Sequence, residues 1–402
     1  MGIRLKPMQP SRWRLIRLNV AFHIIRNVLK LLFSTFIRID IHGAEHIPKR
    51  GPILVLSNHV GFFDPFVICM ATGRMVQFLA TPTMFTKPLL GPIAKFFGVV
   101  PKRKFYADLN AITRLIEWAR LGSSVGLFPE GQRSWDGRTL EIVPGIGKLV
   151  RLIDAPVVTL RMYNMDRLSP RWAIKQRKGH VIVKIDAPIR FEKSSNPAAI
   201  ETEIQKRISV IPNESPPALV YGNNLALGIR NVLFLCPNCF SVESLRERHN
   251  DVYCDHCQAG WHVRANNVLT KIGTGETTPL LTMFDTILSC IKSCGWIVDG
   301  PRYELDGVVL ESDDMQLLDI SGRRPREIGR GRLQLTENNL QLAGDTSWRL
   351  SLTDLMVATV DLSTDLQFRS RYSLFAAVLR NESVVKWEIF VNYWQKSARQ
   401  LD

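Results

Sequence analysis

The sequence predicts an α/β layered domain with a mixed, largely parallel sheet flanked by helices. An amphipathic helix precedes it; a small cysteine-bounded module and a β-rich C-terminal module follow. Three observations carry that reading. Between residues 37 and 190, short apolar runs alternate with segments of helical periodicity. Two CxxC pairs stand fourteen residues apart, at 236–239 and 254–257. Beyond residue 326, short alternating segments separated by turn residues end in a segment with aromatic residues at helical spacing. With 402 residues, 46% of them apolar, the chain has the length for two or three domains and a sizeable core.

The formal charge of +15 points to acidic partners: membrane phospholipid, a phosphorylated substrate, an acidic carrier protein or nucleic acid. The charge is uneven, since residues 1–50 hold ten Lys or Arg against Asp40 and Glu45. Residues 11–36 read as one helix, closing an N-terminal segment 1–36. Arg12, Asn19, His23, Arg26 and Lys30 share a narrow stripe, with Leu18, Ala21, Ile25, Val28 and Leu32 opposite. A span needs about 20 mainly apolar residues, and Arg26 and Lys30 interrupt one. The expectation is a helix lying in the membrane interface, basic side toward phosphate headgroups. Packing against the α/β domain, alone or as well, and a true span are the alternatives. No apolar core with a small-residue cleavage site is evident, so the protein is expected at the cytoplasmic face of a membrane, peripheral and not secreted. The cysteine pattern fits a reducing compartment with a metal site.

The α/β domain is expected over 37–210. Its strand candidates are Ile37–Ile41, Ile53–Leu56, Val76–Ala80, Val125–Phe128, Val157–Met162 and Val181–Ile185. Its helix candidates are 65–72, 88–97, 105–121, 145–153 and 197–209. Pro212, Pro216 and Pro217 mark a linker over 211–229. The run 53–56 ends in a polar loop carrying His59, and Asp64 follows before Pro65, the pattern of an N-cap and a first-turn proline. Histidine and aspartate thus flank the carboxyl end of a strand, where ligands of open α/β sheets collect. A carboxylate on one imidazole nitrogen fixes the tautomer and leaves the other free to take a proton. There is no nucleophilic serine or cysteine beside them, which suits direct transfer with the substrate hydroxyl as nucleophile.

Downstream stand Phe128-Pro129-Glu130-Gly131-Gln132-Arg133-Ser134 and Ala155-Pro156-Val157-Val158. Asn58-His59-x4-Asp64, then Phe-Pro-Glu-Gly-x-Arg-Ser, then a proline-opened apolar strand resembles the glycerolipid acyltransferase family that includes 1-acylglycerol-3-phosphate acyltransferases. The resemblance covers residues 35–210. It implies His59 as general base, oriented by Asp64, moving an acyl group from a thioester to the free hydroxyl of 1-acyl-sn-glycerol 3-phosphate. The product is phosphatidate, for phospholipid synthesis. The partners it implies are membrane phospholipid, a lysophosphatidate-type acceptor and an acyl donor, either acyl-CoA or acyl carrier protein; no catalytic cofactor is implied. The family carries a phosphate-binding arginine after a Gly-x-x-Pro strand. In Gly98-Val-Val-Pro101-Lys102-Arg103-Lys104 that role falls to Arg103, whose guanidinium fork grips phosphate, or to Lys104 by strict count from Gly98. By the same resemblance Glu130 and Gly131 hold the glycerol phosphate, Glu130 by accepting from a substrate hydroxyl or by bracing Arg133. Arg133 is open between a phosphate contact and a structural ion pair. Gln132 stands where the family often has threonine, which leaves acceptor preference open. Glycerol 3-phosphate or another lyso-lipid is the alternative acceptor, and a non-catalytic membrane adaptor is the alternative class.

Cys236-Pro237-Asn238-Cys239 and Cys254-Asp255-His256-Cys257 resemble the knuckles of a zinc ribbon, expected over 230–268. Four thiolates give the closed tetrahedral site of structural zinc. His256 is expected to be exposed and Trp261 to pack over the ribbon. The inter-knuckle segment mixes Arg246, Arg248 and His249 with Glu243, Glu247 and Asp251, so nucleic acid is not expected as a partner. Residues 269–325 read as a connecting segment, with Cys290 and Cys294 as core or surface thiols. Over 326–402, short strands closed by a helix with Trp387, Phe390, Val391 and Trp394 on one face resemble a pleckstrin-homology-like or GRAM-like barrel.

Overall fold

The computed structural model describes residues 10–81, 84, 85, 88, 90–102, 108–294, 308–322, 325–360 and 365–400. The chain divides into two compact units. The first holds the described residues up to Arg171 together with Lys175–Asn223; the second holds Trp172–Ile174 and the chain from Asn224 onward.

The first unit opens with α1 (Arg12–Ser34). Leu18 and Phe22 point inward and are 4% and 3% exposed. Trp13, Ile16, Val20, Ile24 and Leu31, also at helical spacing, lie on the outside and are all more than half exposed. The helix therefore has two apolar faces, and the reading of a basic side opposed to one apolar side is corrected. Arg26, on the expected basic stripe, turns back onto the domain and donates to the Gly73 carbonyl at 3.4 Å. Among the described residues no helix is long and apolar enough to cross a membrane.

Eight strands follow: β1 (Ile37–His42), β2 (Leu54–Ser57), β3 (Val76–Ala80), β4 (Val100–Pro101), β5 (Ser124–Leu127), β6 (Val157–Tyr163), β7 (Lys178–Ile185) and β8 (Val220–Tyr221). They form one sheet in the order β1-β7-β6-β2-β5-β3-β4, with β8 on β7. Pairs β6–β7 and β7–β8 are antiparallel and the rest parallel. The β6–β7 connection holds only the four-residue helix Met165–Leu168. The rest of the connection is irregular, and it returns β7 antiparallel to β6.

Among the described residues of this unit the further α-helices are α2 (Asp64–Thr72), α3 (Leu90–Phe96), α4 (Leu109–Arg120), α5 (Ile146–Ile153), α6 (Met165–Leu168) and α7 (Pro197–Ile208). Strand alternation divides the core. Leu54 and Leu56 pack in the layer of Trp118, Val125, Ile200 and Ile204, whereas Ile53 and Val55 pack with Val67, Ile68, Val158 and Val183. Local caps fix the helix starts. Asp108 accepts from the Ala111 N–H at 3.1 Å to open α4, and Asn196 accepts from Ala198 at 2.9 Å before Pro197 in α7. Gly147 lets α5 meet α7, since a Cβ there would stand 2.1 Å from the Pro197 carbonyl oxygen.

In the second unit, β9 (Leu245–Arg248), β10 (Asp251–Cys254), β11 (Gly260–Val263), β12 (Val268–Lys271) and β13 (Thr277–Pro279) form an antiparallel sheet. The sheet runs on to Pro279 rather than ending at 268, because a turn at Gly273–Gly275 returns a polar strand that apolar patterning does not reveal. Trp261 is buried within it, and His256 is exposed. After α8 (Leu280–Cys294) comes a second antiparallel sheet of β14 (Val308–Asp319), β15 (Arg326–Thr336), β16 (Asn339–Gly344), β17 (Trp348–Ser351), β18 (Leu355–Val360), β19 (Asp365–Ser370) and β20 (Leu374–Val378), closed by α9 (Val384–Gln400). Its order is β17-β16-β15-β14-β20-β19-β18. The central strand begins at Val308, so the expected start at 326 is corrected. Glu311-Ser312-Asp313-Asp314 masks the alternation, and a register shift between Glu311 and Asp314 breaks it. Trp387, Phe390 and Val391 of α9 are fully buried. Lys386, 3% exposed, bridges Glu382 at 2.7 Å and Glu243 at 3.2 Å, so its buried charge is paired.

Candidate active site

The site is built where β2, β5 and β6 end together. Asn58 directly follows β2 and is fully buried. Its amide donates to the Met162 carbonyl at 3.0 Å, and its oxygen accepts from the Met162 N–H at 2.8 Å. That two-way clasp holds the loop after β2 against β6 and aims the next residue, His59, out of the sheet edge.

His59 Nδ1 lies 2.8 Å from Asp64 Oδ2. A carboxylate only accepts, so Nδ1 carries the proton and Nε2 is left as the basic nitrogen. Asp64 is not the N-cap of α2; that position falls to Phe63, and Asp64 is the first helical residue. Its carboxylate turns back into the loop instead and accepts from the Val60 N–H at 2.7 Å and the Gly61 N–H at 3.0 Å. Gly61 is needed there. A Cβ would stand 2.6 Å from the Met165 side chain and 3.0 Å from Asp64 Oδ1.

The imidazole stacks on Phe128 with ring centroids 3.9 Å apart and planes within 14°, and Phe78 continues the stack at 5.4 Å. Gly126 makes room, since a Cβ there would meet the Phe78 ring at 2.4 Å. The His59 side chain keeps 19% of its surface exposed, while Asp64 keeps none. Burial holds the His59 pKa below 6.5, against the raising effect of Asp64; Arg133 and Arg171 lower it further. A histidine that is neutral at neutral pH, with one nitrogen held and the other reachable, is able to take a proton from a hydroxyl.

Glu130 is 3% exposed. One carboxyl oxygen accepts from the His59 main-chain N–H at 2.6 Å and the other from the Leu140 N–H at 2.7 Å. Burial pushes its pKa up to about 8 despite those two donors. The Glu130 carboxyl thus clamps the loop that carries His59 to the loop at Leu140. Gly131 follows at φ +74°, in the left-handed region that glycine tolerates. Ser134 N–H donates to the His59 carbonyl at 3.0 Å, which brings the Arg133 stretch against the histidine. Arg103 and Lys104 lie outside the described residues. Lys102 just before them is half-buried at the carboxyl edge of β4, and burial lowers its pKa, against Asp108.

Sequence reasoning missed the segment 164–171. Met165, fully buried, and Ser169 pack against Gly61. Arg171 lies with its guanidinium 3.9 Å over the Trp135 ring and donates to the Arg133 carbonyl. No periodicity or motif marks these residues, since only the antiparallel return of β7 brings them to the site.

In the second unit, Cys236, Cys239, Cys254 and Cys257 present sulfurs that all lie within 4.8 Å of one another. Cys236 and Cys257 are 3.7 Å apart and Cys239 and Cys254 3.8 Å. Main-chain N–H groups of Asn238 and Cys257 donate to Cys236 and Cys254 at 3.4 and 3.5 Å.

A chloroplastic 1-acyl-sn-glycerol-3-phosphate acyltransferase of Brassica napus is 29% identical over 34% of this chain and 40% of its own length. One from Arabidopsis thaliana is 28% identical over 40% of this chain and 46% of its own. A 1-acyl-sn-glycerol-3-phosphate acyltransferase of Borreliella burgdorferi is 24% identical over 48% of this chain and 81% of its own. The chain thus spans less than half the length of the two plant relatives. Residues 38–163, the stretch that holds His59, Asp64 and the Phe128–Ser134 turn, match the Acyltransferase family.

Proposed function

We propose that the protein is an O-acyltransferase that moves a fatty acyl group from a thioester, acyl-CoA or acyl carrier protein, to the free hydroxyl of 1-acyl-sn-glycerol 3-phosphate, forming phosphatidate. The observation that supports this most is the oriented, neutral His59 on the Asp64 carboxylate at the sheet edge. In the reaction His59 Nε2 takes the acceptor hydroxyl proton as that oxygen attacks the thioester carbonyl. Nδ1–H stays on Asp64, whose charge stabilises the imidazolium. The tetrahedral intermediate collapses with loss of the thiolate, which takes the proton back from Nε2. Ester and free thiol leave, and the enzyme is unchanged. Arg133 and, by resemblance, Arg103 or Lys104 hold the acceptor phosphate. Transfer of a labelled acyl chain to lysophosphatidate in vesicles tests the reading.

The four cysteines fit a structural zinc. Zn–S bonds of about 2.3 Å in a tetrahedron put sulfurs about 3.8 Å apart, and the two close pairs, at 3.7 and 3.8 Å, match that spacing. Bound there, zinc would fasten two loops and leave no open position for chemistry.

The outer face of α1 supports a peripheral membrane contact. Trp13, Ile16, Val20, Ile24 and Leu31 form an exposed apolar stripe, with Arg12, Arg17 and Lys30, all exposed, beside it. An apolar stripe edged by cations suits insertion between anionic headgroups, where an interfacial helix buries its apolar face shallowly.

A further inference from the structure

The segment between β6 and β7 has no role in the function proposed above, yet it is built tightly against the base. Met165 and Ser169 close on Gly61. Arg167 donates to the Pro212 carbonyl at 3.0 Å, and the buried Arg177 donates to the Arg167 carbonyl at 3.0 Å. These ties leave Arg171 in a fixed place. Its guanidinium lies flat on Trp135 at 3.9 Å and donates to the Arg133 carbonyl. Ser134, the next residue, donates to the His59 carbonyl at 3.0 Å. The Arg171 guanidinium is therefore tied to the Arg133 carbonyl, one residue from the Ser134 N–H that meets the His59 carbonyl.

We propose that Arg171, laid over Trp135 and fastened to the Arg133 carbonyl, is a second cationic arm that binds, with Arg133, the phosphate of the acyl acceptor beside His59. This rests on the acyltransferase reading. A full positive charge at this point is costly to the imidazolium that forms during transfer, and both arginines oppose protonation of His59. A bound phosphate monoester, with a charge of about −1.5 to −2, counters the lowering effect of both arginines on the His59 pKa when the acceptor is in place. Stacking on Trp135 holds the guanidinium plane, so the arm is set before the ligand arrives. Phosphoryl groups could come from the acceptor or from coenzyme A on the donor side. The tie to the His59 backbone favours the acceptor, whose hydroxyl must reach Nε2.

The test uses the full chain with Arg171→Gln and Arg171→Lys, their folding checked by thermal melting. Glycerol 3-phosphate and coenzyme A are the binding probes, followed by phosphorus NMR line broadening. In vesicles, lysophosphatidate is compared with the neutral acceptor monoacylglycerol. Arg171→Gln is expected to weaken glycerol 3-phosphate binding and raise the KM for lysophosphatidate about tenfold, the loss of one charged hydrogen bond. Coenzyme A binding is not weakened and transfer to monoacylglycerol, which has no phosphate, does not fall, while Arg171→Lys lies between. Unchanged glycerol 3-phosphate binding overturns the proposal. So does a loss confined to coenzyme A, or an equal fall with both acceptors, which is the mark of a brace. A wild-type protein that binds glycerol 3-phosphate through Arg171 yet transfers to no acceptor keeps the anion site and overturns the acyltransferase reading instead.

Discussion

The main-chain N–H of His59 donates to Glu130 Oε1 at 2.6 Å, and the other oxygen of the same carboxyl accepts from Leu140 at 2.7 Å. Glu130 therefore sets where His59 stands. Glu130→Gln keeps the shape but turns an amide donor toward one of those N–H groups. It is expected to lower kcat about 10- to 100-fold, or about 1.4–2.8 kcal/mol of barrier, with the acceptor KM within about threefold. A raised KM at unchanged kcat would return Glu130 to a substrate contact. Stability follows the same carboxyl. Its folded pKa is raised from 4.5 to about 8 by burial. Its contribution is then complete below pH 4.5 and is lost as pH rises through about 8. The gap in urea midpoint between wild type and Glu130→Gln should shrink from pH 5 to pH 9; a constant gap contradicts the raised pKa.

For His59 the shift runs the other way. Burial lowers its pKa, and Arg133 and Arg171 add to that against Asp64. Transfer needs the neutral ring, so the acid limb of kcat/KM should fall below pH 6.5 and move upward in Arg133→Gln. Asp64→Asn removes the acceptor that fixes the tautomer and is expected to lower kcat by about 10³- to 10⁴-fold. Its buried partners, the Val60 and Gly61 N–H groups, also lose a charged acceptor. Kinetics from pH 5 to 9 check both statements.

Most of the α/β layer was legible because its signals are local. Ile53 to Leu56 is apolar at every position, as a strand covered on both faces must be, and His59, Asp64 and the Phe128–Ser134 turn are short patterns with fixed spacing. The contacts across the fold were not legible. Nothing in one dimension tells that Asn58 clasps Met162, that Gly126 clears space for Phe78 in a stack with His59, or that Arg171 returns to Trp135. Only the cap position expected of Asp64 differs: Asp-Pro is a cap pattern, yet Phe63 takes that place and the Asp64 carboxylate meets the imidazole 2.8 Å away. In the second unit, β14 was missed because Ser312 is a buried polar residue in a bulged strand, its hydroxyl accepting from the Leu333 N–H at 2.8 Å.

The cysteine cluster makes a prediction that leaves the chemistry aside. Purified protein should carry about one zinc per chain, since sites of four thiolates are four-coordinate and closed. Removing it with a chelator, or Cys239→Ser, should lower the melting temperature of the second unit. A metal-free protein with an unchanged melt would count against the structural zinc.

Trp13 and Ile24 are each 68% exposed on the outer face of α1. Trp13→Glu with Ile24→Glu should reduce sedimentation with anionic vesicles at least about tenfold, because each loses about 2–3 kcal/mol of apolar burial. The melting temperature should stay put, as neither side chain packs in the core. Undiminished vesicle capture would place the membrane contact elsewhere.

The central claim, acyl transfer with His59 as base, is tested most directly with wild type and His59→Ala side by side. Both are incubated in vesicles with labelled acyl-CoA or acyl carrier protein and a panel of lyso-acceptors. The account predicts labelled phosphatidate from lysophosphatidate with the wild type and none above background with His59→Ala, at equal thermal stability. Equal transfer by the variant, or no transfer by the wild type to any acceptor, would contradict it.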